Sequence, residues 1–499
     1  MPMLMVLLVL LPLIATLVCS RATHHVAAAV TALTGVLTFA LAAALVPAAA
    51  DHTVTALRYL RADALSVIFL LATCFLYAAV GIYSIGYLAD EERAARAEGR
   101  QEQLMFARHS ARFYLALNAF AWSMICAPLV NGLALLWIAI EITTVVSALL
   151  VALDNTEGAT EAAWKYVLIA SSGLGIALLA TIFMYYAGAQ VVGQYYDLAF
   201  DPLIDAAGQL PPTPVRLAFV LAVVGFGTKV GLFPVHTWLP DAHAEAPTPV
   251  SALLSGSLLA VSFYAILRYY QIGIAALGPR FPQTVLLVFG VLSLLLAALY
   301  LLEQRDIKRL LAYSSVEHMG ILAIGVGFGA PIALSGALLH VLAHAAAKGN
   351  AFMGAGVLVR KFGTKELTRM ADGIAVLPWS GPLFLVAILA LSGMPPFGLF
   401  RSEFQIVYGG FANTRYVAAA ALVCLITLAF LGLALSTTRI LFRPNIGEMT
   451  PPERGEPSGW MVIPVVAGVL ALLVLGVAPP SDLVELLNHG ADQLLAGAR

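Results

Sequence analysis

The chain has 499 residues, of which 61% are apolar and only 11% charged, and its formal net charge is −1. A soluble domain of this size needs far more charge to cover its surface, so a soluble enzyme fold is excluded. With no basic or acidic tail, no nucleic-acid partner is expected.

Apolar runs of about 20 residues recur along almost the whole chain, the length that crosses a hydrocarbon core. Open sheets leave backbone groups unpaired in lipid, so the expected fold is an all-α integral membrane bundle. About fourteen spans are expected, at 2–20, 25–49, 63–88, 110–130, 131–153, 163–188, 215–236, 248–272, 282–302, 308–329, 331–359, 375–412, 415–442 and 459–478. The first run lacks the basic start of a signal peptide and another span follows directly, so it reads as a helix that stays. A short turn at Pro128, Asn131 and Gly132 parts the fourth and fifth spans. The twelfth is too long and is interrupted by Gly393, Pro395 and Pro396. Cys19, Cys74, Cys126 and Cys424 lie far apart in apolar runs, so no iron–sulfur cluster, structural zinc or disulfide framework is expected.

Loop charges give an orientation. Loops after odd-numbered spans carry Arg21, Arg93, Arg96, Arg100, Arg108, Arg112, Arg305, Lys308, Arg309, Arg360, Lys361, Lys365, Arg369, Arg439, Arg443 and Arg454. The opposite loops carry few, such as Arg58, Arg61, Arg280 and Arg415, and one of them holds Asp197, Asp201 and Asp205. The basic side is expected to face the cytoplasm of a bacterial-type inner membrane, with both termini outside. The tail after 480 is expected to lie as an amphipathic segment at the outer interface.

Ionisable groups at membrane depth are expensive and usually mark a pathway. Glu141 stands alone in ALLWIAIEITTVVSALL. Lys229 stands in VVGFGTKVGLFPVHTWLP, where Gly231 and Pro234 should break the helix. Broken helices at this depth mark ion sites, and an apolar site disfavours the charged form of lysine, which lets it pass a proton on. His318 follows Glu317, and histidine titrates closest to neutral pH. His340, His344 and Lys348 recur every four residues, which puts them on one helix face. No carboxylate accompanies that stripe in sequence, so no metal is expected there. Glu403 follows the second break, two residues after Arg401, and its plainer reading is a structural ion pair with a neighbouring helix. Each of these has a plainer reading as a packed, snorkelling or ion-paired residue.

The pattern occurs twice: a span with a buried acid, then a Gly/Pro-broken span with a titratable group. Two such breaks in corresponding places predict two inverted five-helix repeats. The expected organisation is spans 1–3 over 1–109, a first repeat over 110–272, a second over 282–442, and the last span and tail over 459–499.

Four stretches carry a family likeness: YSIGYL at 83–88, KVGLFPVHTWLPDAHAEAPTPVSALL at 229–254, HAAAKGNAFMGAG at 344–356 and SGMPPFGLFRSEF at 392–404. In that order, and on these spans, they resemble the proton-translocating antiporter-like subunits of complex I, Mrp-type cation/proton antiporters and membrane-bound hydrogenases. WIAIEITTVVSALLVAL at 137–153 and YSSVEHMGI at 313–321 resemble the F-subunit branch of hydrogenase-4 and formate hydrogenlyase-type complexes. The resemblance implies a relay. Glu141 and Lys229 match a coupled pair whose separation gates the lysine's proton. Lys165 matches a lysine that neutralises Glu141. His318 and Lys348 occupy the centre, and Glu403 stands near the exit. Many relatives carry His or Lys in the eighth span, but here it offers only Ser255, Ser257, Ser262 and Tyr264 before Arg268, so the relay would need water there.

The expected function is therefore proton translocation as one subunit of an energy-converting respiratory or hydrogenase-type complex. Other membrane subunits and a peripheral redox arm are the implied partners. With no Walker or dinucleotide motif and no redox centre, no cofactor is expected in this chain, and whether it counts as an enzyme depends on that complex. The alternatives are a Na⁺(K⁺)/H⁺ antiporter subunit, a subunit of an inorganic-carbon uptake complex, or a scaffold for a redox arm.

Overall fold

The computed structural model describes residues 1–444 and 452–496, apart from the side chains of Asp90 and Ala94. The last residues of the expected tail, 497–499, lie outside the described residues.

Two helices, α1 (Pro2–Cys19) and α2 (His24–Asp51), lead to a short hairpin of β1 (Val54–Ala56) and β2 (Leu60–Ala62), paired antiparallel with Thr55 opposite Arg61. Next come α3 (Ala64–Glu98) and α4 (Arg100–Leu129). Asp63 caps α3, its carboxylate accepting from Ser66 N–H at 2.9 Å. At 1.5 Å per residue the 35 residues of α3 reach on the order of 50 Å, well past the bilayer core. The third span is therefore about ten residues longer than expected, and α4 likewise starts at Arg100 rather than at 110. The two are polar where they meet, at Gly99, whose φ of 125° only glycine takes readily.

The first half continues with α5 (Leu133–Val151), α6 (Glu157–Ala189), the short α7 (Phe200–Asp205), α8 (Pro212–Val230) and α9 (Leu239–Glu245). Then α10 (Thr248–Leu253) runs through a π turn at Leu254–Leu258 into α11 (Leu259–Leu277), which together make one 30-residue span. The second half holds α12 (Arg280–Leu301), α13 (Ile307–Phe328), α14 (Pro331–Phe362), α15 (Gly373–Val376), α16 (Ser380–Leu391), α17 (Gly398–Ala412) and α18 (Tyr416–Phe442). It is followed by α19 (Gly459–Val477) and α20 (Ser481–Leu495).

Among the described residues, 12 helices are long and apolar enough to cross a membrane. The expected fourth and twelfth spans are not among them: α4 is too polar at its start, and the twelfth is divided into α16 and α17. The fold is thus a helical membrane bundle, with twelve spans that length and composition support.

Burial sorts the helices into a centre and a rim. The apolar window of the α10–α11 span is buried along 100% of its length, against 28% for α1 and for α18. The central helices α3, α10–α11, α13 and α14 are the most buried, and the rim exposes leucine, valine and tryptophan. The amphipathic tail helix α20 buries Leu486, Leu487, Ala491 and Leu494. It packs on α14, α2 and α3, with His489 Nδ1 2.6 Å from Ala50 C=O. It lies against the protein through this face.

Candidate functional site

The first break is built by sequence chemistry. Helix α8 ends at Gly231, which takes the left-handed region with φ of 83°. The following segment is pinned by Trp238, whose Nε1 donates to Thr228 C=O at 2.7 Å. Phe233 N–H donates to Ser293 Oγ on α12 at 2.9 Å. Lys229 sits in the last turn of α8 with no exposure at all. Its Nζ donates to Thr144 Oγ1 at 2.7 Å and to Tyr166 OH, and lies 4.8 Å from the Tyr166 ring. Tyr166 OH in turn lies 2.7 Å from Ser147 Oγ.

Glu141 stands one turn before Thr144 on α5. Ser171 Oγ donates to Glu141 Oε1 at 3.2 Å, while the buried Oε2 has no partner among the described residues. Glu141 and Lys229 do not form an ion pair here; the lysine Nζ rests on hydroxyl groups instead. Hydroxyls alternating with apolar residues gave no strong sequence signal, and Thr144, Ser147 and Tyr166 were missed for that reason.

Lys165 does not neutralise Glu141. Its Nζ pairs with Glu161 at 2.6 Å and Asp241 at 3.3 Å, and the side chain is half-exposed. Helical geometry explains the difference. Lys165 precedes Ser171, the Glu141 partner, by six residues, which carries it about 9 Å along α6. Asp241 also accepts from Arg309 of α13. The α9 segment after the break is thus tied to α6 on one side and to α13 on the other.

The second break separates α16 from α17 at 392–397. Gly393 has φ of 66° and no Cβ, and the Glu403 carboxylate packs where that Cβ would be. Arg401 points elsewhere, its Nη1 3.4 Å from Gly476 C=O, and Glu403 makes no ion pair among the described residues.

Beside this break the central histidines converge. His318 Nδ1 lies 3.1 Å from His340 Nε2, and His340 Nδ1 lies 3.0 Å from Ser402 Oγ on α17. The His344 ring is 5.2 Å from His318, and both its nitrogens are buried without a partner among the described residues. Lys348 Nζ donates to Leu311 C=O at 2.9 Å and to Ser314 Oγ. Glu317 is buried one turn from Ser314, with its Oε2 unpartnered among the described residues.

A carboxylate absent from the histidine stripe in sequence is supplied by the fold. One ligand atom each of His318, His340 and Glu403 lies within 4.8 Å of the others. Those groups could hold a metal ion, contrary to the expectation drawn from sequence. The two rings, however, already share a hydrogen bond, the arrangement through which a proton passes between imidazoles.

The eighth span is not bare. Its π turn puts Ser255 Oγ 2.7 Å from Ser315 Oγ of α13, next to the serine that holds Lys348. π turns inside helices occur frequently at functional sites. His243, from α9, is fully buried, with Nδ1 2.8 Å from Leu239 C=O and Nε2 unpartnered among the described residues. Its ring lies 5.8 Å from that of Phe352, one turn from Lys348 on α14. His243 was missed in sequence because it lies in a short segment counted as a loop.

A second charged cluster lies toward the hairpin. Asp63 accepts from Arg268 Nη2 at 2.7 Å and from Arg61, whose Nη2 also donates to Asp201 at 2.7 Å. Both Asp63 and Arg268 are buried. This triad ties α3 to α11.

The model of the family described as NADH:quinone oxidoreductase/Mrp antiporter, TM matches residues 130–429. The chain belongs to this family. It is 34% identical over 431 residues to a hydrogenase-4 component F homolog of Methylacidiphilum infernorum, covering 86% of this chain and 87% of that one. It is 28% identical to a Na⁺/H⁺ antiporter subunit of Alkalihalophilus pseudofirmus, covering 74% and 73% of the two chains. Among solved structures, a chain of the Mrp complex from Dietzia superposes with a TM-score of 0.83 at 19% identity, covering 98% of this chain and 97% of that one. A chain of Thermus thermophilus respiratory complex I gives 0.80 at 24%, covering 98% and 99%. At such identities these two likenesses speak for the fold. Within the antiporter-like family fold, the matched region holds both helix breaks and every buried titratable group of the two breaks and the histidine centre.

Proposed function

We propose that this antiporter-like chain translocates protons as a membrane subunit of an energy-converting respiratory or hydrogenase-type complex. The observation that carries it is the hydrogen-bonded run from His318 through His340 to Ser402, buried at the second helix break. Protons would enter near Lys229, cross by His243 and the Ser255–Ser315 pair to Lys348, continue through the histidines, and leave near Glu403. The Lys229 ammonium, held by hydroxyls with Glu141 one turn away, is the gate. A carboxylate beside it favours the charged form, and withdrawal of that carboxylate in a low dielectric favours release. Driving energy would come from partner subunits and a peripheral redox arm. The two breaks support two repeats, and the loop charges support a basic cytoplasmic face with both termini outside.

The test is proton uptake by sealed vesicles holding the assembled complex, under its driving reaction, with wild type compared with Lys229→Ala. Loss of pumping with the redox rate retained supports the relay. Full pumping by the variant overturns it.

A second reading, exchange of Na⁺ or K⁺ for protons, draws on the Glu403 carboxylate beside two imidazole nitrogens. It predicts transport that depends on Na⁺ or K⁺ concentration, which the proton reading does not.

A further inference from the structure

The rim of the bundle carries a feature that proton transfer does not use. Between α12 and α18 lies a groove of about 610 Å³, walled by Leu287, Val288, Val291 and Leu292 on one side and by Val417 and Ala421 on the other. It is open to the lipid side: Val288 is 50% exposed and Val417 87%. Its upper end runs into a second, polar recess of about 570 Å³, and the two share Thr414 and Arg415. Arg280 faces the recess from the first turn of α12, and Gln283 and Asn413 complete its polar lining.

Neither Arg280 nor Arg415 has an acidic partner among the described residues. The helix starts at Arg280 and Tyr416 add two positive dipole ends at the same level. From Arg280 to Leu292 the α12 wall descends on the order of 18 Å at 1.5 Å per residue, close to one leaflet's half of the ~30 Å core. A groove one leaflet deep, apolar below and doubly cationic at its head, matches one kind of molecule.

We propose that this is a binding site for an anionic phospholipid. The phosphate would sit between Arg280 and Arg415, with Asn413 and Gln283 beside it, and an acyl chain would lie along Val288 and Val417. Charge complementarity selects the occupant. A zwitterionic lipid leaves the two guanidinium groups without a net counter-charge, and a free anion leaves the apolar groove unfilled. The two arginines belong to different helices, so the lipid would clamp α12 to the α17–α18 turn. That turn closes the far end of α17 from the second break, about 21 Å away at 1.5 Å per residue, so the site lies apart from the break.

The experiment uses the full chain in nanodiscs of equimolar phosphatidylglycerol and phosphatidylcholine, with retained lipid counted by native mass spectrometry after partial delipidation. Wild type is expected to retain phosphatidylglycerol over phosphatidylcholine. Its occupancy should fall about fivefold for each arginine removed in R280Q and R415Q, the factor expected for a basic residue at an anionic lipid. V288W, which fills the apolar wall and leaves both arginines in place, should lower it as well. Added inorganic phosphate should not displace the lipid. Equal retention of the two lipids by wild type overturns the proposal, and so does an unchanged phosphatidylglycerol count in R280Q/R415Q and in V288W. Displacement by phosphate with no loss in V288W marks a simple anion site and overturns it equally.

Discussion

Lys229 Nζ lies 2.7 Å from Thr144 Oγ1, and Thr144 stands one turn along α5 from Glu141. Lys229 is thus held by a neutral hydroxyl on the same helix as the Glu141 carboxylate, one turn from it. A two-position lysine is what gating by a Glu–Lys pair requires, since proton affinity changes only if the partner changes.

Thr144→Val removes one of the two hydroxyl partners of Lys229 and keeps the volume. Leaving a buried donor short of a partner costs about 1–3 kcal/mol, so pumping should slow about fivefold or more with assembly intact. Proton uptake in sealed vesicles, normalised to complex content, measures it. An unchanged rate would mean the hydroxyl is incidental.

Ser402→Ala cuts the link between His340 and α17 without touching a histidine. Slower proton transfer with a normal thermal midpoint is expected, whereas a fall in the midpoint with normal transfer would make Ser402 a packing residue.

Gly393→Ala should be severe. The left-handed backbone costs an alanine about 1–2 kcal/mol, and the new methyl would meet the Glu403 carboxylate as well. A lowered thermal midpoint together with lost pumping is expected; a stable, active variant would show that the break can rearrange around a side chain.

Asp63→Asn tests the Asp63–Arg61–Arg268 triad. Removing one member of a buried charge network strands its partner, here Arg268, at a cost of about 3–5 kcal/mol, while Arg61 keeps Asp201. Assembly should drop, yet each complex that does assemble should pump normally, because the triad lies apart from the His318–His340–Ser402 run. Pumping lost per assembled complex would place Asp63 in the pathway.

Lys165→Ala makes the opposite case. Solvent screens such surface ion pairs, so stability should barely change. Pumping should stay within about twofold of wild type if Glu141 is not its partner. A collapse in pumping would restore the lysine to the gate.

Much of this protein was readable in one dimension. Apolar runs of spanning length, interrupted by a few charges, leave a helical membrane bundle as the only backbone-satisfied solution. Gly231 with Pro234, and Gly393 with Pro395 and Pro396, announced both helix breaks, because glycine and proline change the backbone locally whatever surrounds them. The four-residue spacing of His340, His344 and Lys348 put them on one face for the same local reason.

The partners were decided elsewhere. Whether Lys229 meets Glu141 or Thr144, and whether Lys165 reaches Glu141 or Asp241, depends on how α5, α6, α8 and α9 cross in space. Glu403 joins the histidines only because α17 packs against α14. Asp63 and Arg268 stand 205 residues apart, so nothing local could have paired them. Sequence determines where charge is placed along each helix; only packing determines which buried group a charge must find, because in lipid the nearest polar atom, and not water, is what satisfies it.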